Sequence, residues 1–125
     1  MHVNENKSIE TYHLPGLDHQ TLAGKKDGLK SFEIWRQTIE AGANTPVHRH
    51  ACEEVLVILK GEGVCRSESK EHHFNEGDTV VIPKNVVHQI CNTGETDLHL
   101  LATLAMAPVE VKTEIGEMMP LPWDQ

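Results

Sequence analysis

Two histidines one residue apart, His48 and His50, followed at the same parity by Glu54, are the residues best suited to chemistry in this chain. Along an extended segment, positions i, i+2 and i+6 point to one side. His88 lies later, in a stretch where Val80, Ile82, His88 and Ile90 share an alternating frame. Three neutral imidazoles and one carboxylate converging from two neighbouring strands suit a hard-to-borderline divalent cation, with one or two positions left for water or substrate. An HxH pair alone is commoner as two surface or hydrogen-bonded imidazoles. The surrounding frame has to decide.

The other six of the nine histidines attract plainer readings. His72 and His73 sit in a short charged hairpin and are expected at the surface. His99 is out of phase with Leu98, Leu100 and Ala102 and should face outward. His2, His13 and His19 fall in the N-terminal stretch, where no role is assigned. Tyr12 and His13 are candidates to fold over the site from that stretch. Cys52 and Glu53 are out of phase with the candidate ligands, and Arg49 should point away from them as a surface ion-pair partner.

The elements that must position these groups are short and strand-like. Residues 31–40, 54–60, 64–67, 72–74, 79–82, 86–91 and 97–105 are rich in β-formers, and Gly, Asn or Pro turns separate them. No stretch holds a helical stripe for three turns. Several short strands at this spacing mean an all-β sandwich or barrel. Residues 1–28 are polar and Gly-punctuated, and they read as an irregular N-terminal arm ahead of a barrel domain at 29–125. Val55 to Leu59 is apolar on both faces, so one face lines the core and the other needs a cover, either the N-terminal arm or a second subunit. A homodimer packed through outer-face strands is expected.

Composition narrows the function classes. The 125 residues fill one domain, with 38% hydrophobic and only 4% aromatic residues, so the core is lean and aliphatic. Eleven Lys and Arg against 19 Asp and Glu give a net charge of −8, which argues against nucleic acid and anionic lipid as partners. No run approaches the ~20 apolar residues of a membrane helix. Cys52, Cys65 and Cys91 form no CxxC pair, and the first residues lack an apolar signal-peptide stretch. A reducing, cytoplasmic setting is expected.

The frame around the histidines is Gly42, five residues, His48, one, His50, three, Glu54, six, Gly61. This is the first signature motif of the cupin superfamily. The second follows as Gly77, five residues, Pro83, one, Asn85, two, His88, three, Asn92, with Asn85 where the family usually has Gly. Asparagine tolerates positive φ best among the other residues, so the turn before His88 should survive. The chain therefore resembles a cupin. The resemblance implies a single-domain jelly-roll β-barrel, with a metal inside on His48, His50, Glu54 and His88.

Within the superfamily the chain is similar to plant auxin-binding protein. The likeness lies in Phe32-Glu33-Ile34-Trp35-Arg36-Gln37-Thr38-Ile39, in residues 45–55 from Thr45 and Pro46 to Val55, and in the tail Pro120-Leu121-Pro122-Trp123-Asp124. That resemblance implies a zinc that receives the carboxylate of an aromatic acid, with Trp35, Thr45, Pro46 and Trp123 clamping the ring. Manganese, iron and nickel stay open as alternatives to zinc. Gln37 shares the face of Trp35 and is expected to reach the pocket as a hydrogen bonder. The expected function is metal-dependent binding of a small carboxylate. A small metalloenzyme of dioxygenase, isomerase or decarboxylase type is the alternative, and no catalytic acid or base is assigned.

Overall fold

A computed structural model describes residues 1–124 as an all-β molecule with no α-helix. Its strands are β1 (Tyr12–Leu14), β2 (Leu17–Ala23), β3 (Glu33–Ile39), β4 (Glu54–Lys60), β5 (Gly63–Ser67), β6 (Lys70–Phe74), β7 (Thr79–Ile82), β8 (Gln89–Asn92), β9 (Leu98–Leu104), β10 (Val111–Lys112) and β11 (Met118–Met119). Three single 3-10 turns, Asn6–Ser8, Lys25–Asp27 and Pro122–Asp124, complete it. One sheet runs β1-β2-β3-β9-β4-β7, a second runs β6-β5-β8, and β10 with β11 forms a ribbon. All the named pairings are antiparallel.

The core lies between the two sheets, as alternation requires. Leu56 and Ile58 of β4, Leu98, Leu100, Ala102 and Leu104 of β9, and Trp35 and Ile39 of β3 meet Cys65, Phe74 and Ile90 of the smaller sheet. Both faces of β4 are apolar but unequally buried: Val57 and Leu59 stay 40% and 39% exposed on the outer face. Few aromatics take part, so branched aliphatic residues fill the space, as the composition requires.

The N-terminal stretch departs from the irregular arm expected over 1–28. β1 and β2 occupy ten of its residues, Tyr12–Leu14 and Leu17–Ala23, and extend the large sheet beside β3. The reason is register. β2 pairs with β3 from Leu17↔Ile39 to Ala23↔Ile34, so an edge of β3 supplies the backbone partners that a polar sequence cannot signal alone. A slip between Thr21 and Ala23 breaks the alternation further.

The predicted strand over 86–91 is also trimmed, to Gln89–Asn92. Its place is taken by a turn in which Asn85 has φ 62°, the left-handed conformation expected of it. Gly63 marks the closest approach between sheet neighbours. A Cβ there would run into the Cys91 carbonyl oxygen and lie 2.8 Å from Phe74 Cζ. Gly63→Ala should therefore destabilise the fold by about 1–3 kcal/mol through overpacking. Asn85→Gly should stay within about 0.5 kcal/mol of the parent, because φ > 0 suits Gly at least as well. Urea denaturation of both variants checks this, and a Gly63→Ala midpoint equal to the parent's would contradict it.

Candidate metal centre and ligand cavity

His48 and His50 do not sit in a strand of either main sheet. Residues 43–48 run beside β8, bridged at Asn44 to Cys91 and bent at Val47, with Thr45 N–H donating to the Ile90 carbonyl at 2.9 Å. His48 and His88 then exchange both backbone bonds, at 3.0 and 2.8 Å, so the two ligand segments are tied directly together. Arg49 makes the same double exchange with Lys112 of the ribbon, at 2.9 Å each. Strand alternation survives without a full ladder, so His48 and His50 share a side. Glu54 opens β4, opposite Ile82 of β7 and Leu104 of β9.

The side chains converge. The ring nitrogens of His48, His50 and His88 lie within 4.8 Å of one another. Glu54 Oε1 is 3.3 Å from His88 Nε2 and 3.6 Å from His50 Nε2. Each imidazole donates its Nδ1–H to a backbone carbonyl: His48 to Pro46 at 2.6 Å, His50 to Glu110 at 2.9 Å, and His88 to Val86 at 2.9 Å. With Nδ1 occupied this way, every Nε2 keeps its lone pair free for a cation. His50 Nε2 and Glu54 Oε1 are buried and have no hydrogen-bond partner. Burying polar atoms unpaired is costly unless a cation completes them, so the donor set fits a tetrahedral or larger borderline site.

The electrostatics agree. Burial, helped by the neighbouring His88, pulls the His48 imidazole down to about 4. Burial likewise lowers His50, against the opposing pull of Glu54. Burial acts to raise the Glu54 carboxyl, but the close approach of His88 and the neighbouring His50 and His48 rings outweigh it and hold it below its usual range. Neutral imidazoles at His48 and His50 beside an ionised Glu54 are protonation states that suit a cation.

A cavity of about 550 Å³ opens on this cluster. Trp35, Gln37, Thr45, Pro46 and Trp123, the five residues singled out as ligand contacts, all line it with the four candidate ligands. Trp35 and Trp123 meet edge to face with centroids 5.4 Å apart, and both are almost fully buried. Among the described lining residues, the only titratable side chains are His48, His50, Glu54 and His88 themselves.

Several residues behave otherwise than expected. Arg49 is half-buried with its Nε unpartnered and no ion pair among the described residues, because its backbone bridge to Lys112 draws it inward against Gly116. Tyr12 packs edge-on against Trp123, 6.2 Å between centroids, whereas His13 stays exposed and bonded to Asp18 at 2.7 Å. Glu33 is buried and accepts the Trp35 Nε1–H at 2.9 Å. His19 was given no role, yet it is fully buried and stacks on Trp123 with centroids 3.4 Å apart and planes 10° apart. Its one sequence signal was parity: Leu17, His19 and Thr21 alternate into the pocket side of β2, but a polar neighbourhood hid the strand.

Two packed sheets around a cluster of three histidines and one carboxylate are the hallmarks of a cupin. The family model for auxin binding protein matches residues 3–122, and the chain belongs to that family. Auxin-binding protein T85 of Nicotiana tabacum is 44% identical over 114 residues, which cover 82% of this chain and 61% of that protein. Auxin-binding protein 1 of Arabidopsis thaliana is 39% identical over 112 residues, covering 82% and 57% respectively. The chain thus spans about three-fifths of the length of these curated relatives. Among solved structures, a predicted oxalate decarboxylase from Thermotoga maritima is similar with a TM-score of 0.73 and 27% identity, covering 85% of this chain and 99% of that one.

Burial holds His19 neutral down to about pH 3. In an unfolded chain it would titrate near ~6.5. Above that value both states are neutral and pH has no effect through this residue. Below it the unfolded chain takes up a proton that the folded one refuses, so stability falls by about 1.4 kcal/mol per pH unit toward pH 3. His19→Phe should flatten this part of the profile. Denaturant titrations from pH 7 to 4 on both proteins measure it, and parallel profiles would refute the assignment.

Proposed function

We propose that the chain is a metal-dependent binding protein for a small aromatic carboxylic acid. His48, His50, Glu54 and His88 would hold a divalent cation, zinc first, and it would supply the positive charge that draws a carboxylate into an otherwise apolar cavity. The chain's own residues do the rest. Trp35, Thr45, Pro46 and Trp123 offer flat, low-entropy surface to a ring, and Gln37 offers an amide beside it. The observation that carries this reading is the lining. Among its described lining residues no titratable side chain stands beside the four candidate ligands, so they offer chemistry for holding an acid and no separate general acid or base.

The proposal includes a cytoplasmic setting, supported by three buried, free cysteines. It also includes a homodimer. Val57, Leu59 and Val81 leave an apolar strip on the outer face of β4 and β7, Val81 being 71% exposed. Such a strip on so lean a domain suits a second copy packed face to face.

The central test titrates the zinc-loaded protein with benzoate and with methyl benzoate, which keeps the ring but lacks the charge. Benzoate should bind at least about tenfold more tightly, and EDTA should abolish the difference. His88→Ala should lower zinc affinity by about a hundredfold or more. Equal binding of acid and ester, or an unchanged zinc affinity, would sink the reading. For the assembly, sizing chromatography should place the chain at twice its 14.0 kDa mass, and Val81→Lys should shift it to one. A parent eluting as monomer would end the dimer proposal.

A further inference from the structure

We propose that His19 is the positioning residue of the ligand cavity: it sets both the face of Trp123 and the amide of Gln37 that a bound acid meets. This rests on the reading of the cavity as a carboxylate site. His19 touches none of the candidate metal ligands' donor atoms, and it acts through its neighbours.

Four contacts carry the inference. The His19 ring lies flat on Trp123, centroids 3.4 Å apart and planes 10° apart. It meets Trp35 edge to face at 4.8 Å and 79°. Its Nδ1 accepts the Gln37 Nε2–H at 3.1 Å. Its Nε2–H donates to Thr21 Oγ1 at 2.8 Å. His19 stands directly opposite Gln37 in the β2–β3 ladder, and Thr21 directly opposite Trp35. One fully buried imidazole therefore touches three of the five residues expected to contact the ligand.

The Trp123 contact matters most because it is a face-to-face ring contact, whereas Trp35, its neighbour in the core, meets the same indole only edge to face at 5.4 Å. Among the described residues, the backbone of the Pro122–Asp124 turn makes one hydrogen bond, from Asp124 N–H to the Leu121 carbonyl at 3.1 Å. The indole Nε1 has no partner among the described residues. Tyr12 adds only an edge contact at 6.2 Å. The flat stack on His19 is the broadest contact fixing the indole against β2.

The Gln37 contact supplies polarity. A glutamine amide has two N–H groups and one carbonyl. Holding one N–H on His19 stops the amide from turning, and it leaves the other N–H and the carbonyl as the groups available to a ligand. A neutral imidazole is needed for this, since a protonated one has no lone pair to accept with. Burial, which pulls His19 down to about 3, secures that state. Phenylalanine could stack but not accept. Asparagine could accept but not stack. Histidine does both.

That separation of roles makes the test. Zinc-loaded parent, His19→Phe and His19→Asn proteins are titrated with acetate and benzoate, and acrylamide quenching of tryptophan emission is followed. The chain has only two tryptophans, Trp35 and Trp123, and both contact His19. His19→Phe should weaken both acids by the same factor, about fivefold, leaving their ratio and the quenching unchanged. His19→Asn should keep acetate within about twofold, reduce the preference for benzoate about fivefold, and raise the quenching. Loss of both acids by one common factor in both variants would overturn the assignment, as would an unchanged ratio and quenching in His19→Asn.

If the parent binds neither acid, the carboxylate reading falls, and the quenching alone decides the role of His19. Higher quenching in His19→Asn but not His19→Phe supports it; equal quenching overturns it. Thr21→Val guards against failure of both His19 variants to fold. By freeing the imidazole Nε2–H it should weaken both acids about twofold to threefold at constant quenching, and unchanged affinities for both acids would count against the proposal.

Discussion

The double backbone exchange between His48 and His88 is the constraint on which the site depends. It joins a segment that enters β4 to a turn that enters β8, and it fixes the spacing between two of the candidate ligands. The bridge also explains why two of the three imidazoles, His48 and His88, find a carbonyl for their Nδ1–H, while His50 reaches the Glu110 carbonyl instead. The carbonyls of Pro46 and Val86 lie two residues before His48 and His88, in the same extended chains that the bridge holds parallel to the cavity wall. Orientation is therefore a backbone property. Side-chain packing has only to exclude water.

Gathering three imidazoles and a carboxylate in an apolar barrel works against the hydrophobic core around it. Desolvation drives His48 and His50 toward the neutral form, while the same burial leaves His50 Nε2 and Glu54 Oε1 without partners. A fold that merely needed stability would fill this space with aliphatic residues, as it does at Leu56 and Ile58 one and two turns of the pleat further along β4. A bound cation would also offset two units of the chain's −8 charge from inside.

Legibility in the sequence followed the physics of each part. The four-residue donor set was visible because the chemistry concentrates in fixed spacings along extended chain, and Asn85 was readable because few residues accept positive φ. The central strands were legible because their alternation is forced by a core on one side. β1 and β2 were not, since their partner β3 supplies most of their reason to be extended and Asp18, Gln20 and a register slip blur the pattern. His19 was hidden for a different reason. What gives it meaning is a stack on Trp123, nearly the whole chain away, and no local period carries that information.

The scarcity of aromatics then acquires a structural sense. With two Trp, two Phe and one Tyr in the chain, both tryptophans and the tyrosine gather at one end of the large sheet around His19. Elsewhere the core closes on aliphatic side chains and Phe74. Two of the stiffest side chains available, Trp35 and Trp123, line the cavity with few rotamers to lose, and His19 backs them as a flat, hydrogen-bonded ring behind the wall. The barrel spends its rigid surface where a ligand would meet it, and the arrangement ties the N-terminal strands, absent from the barrel's motif frame, into the same wall as the C-terminal turn.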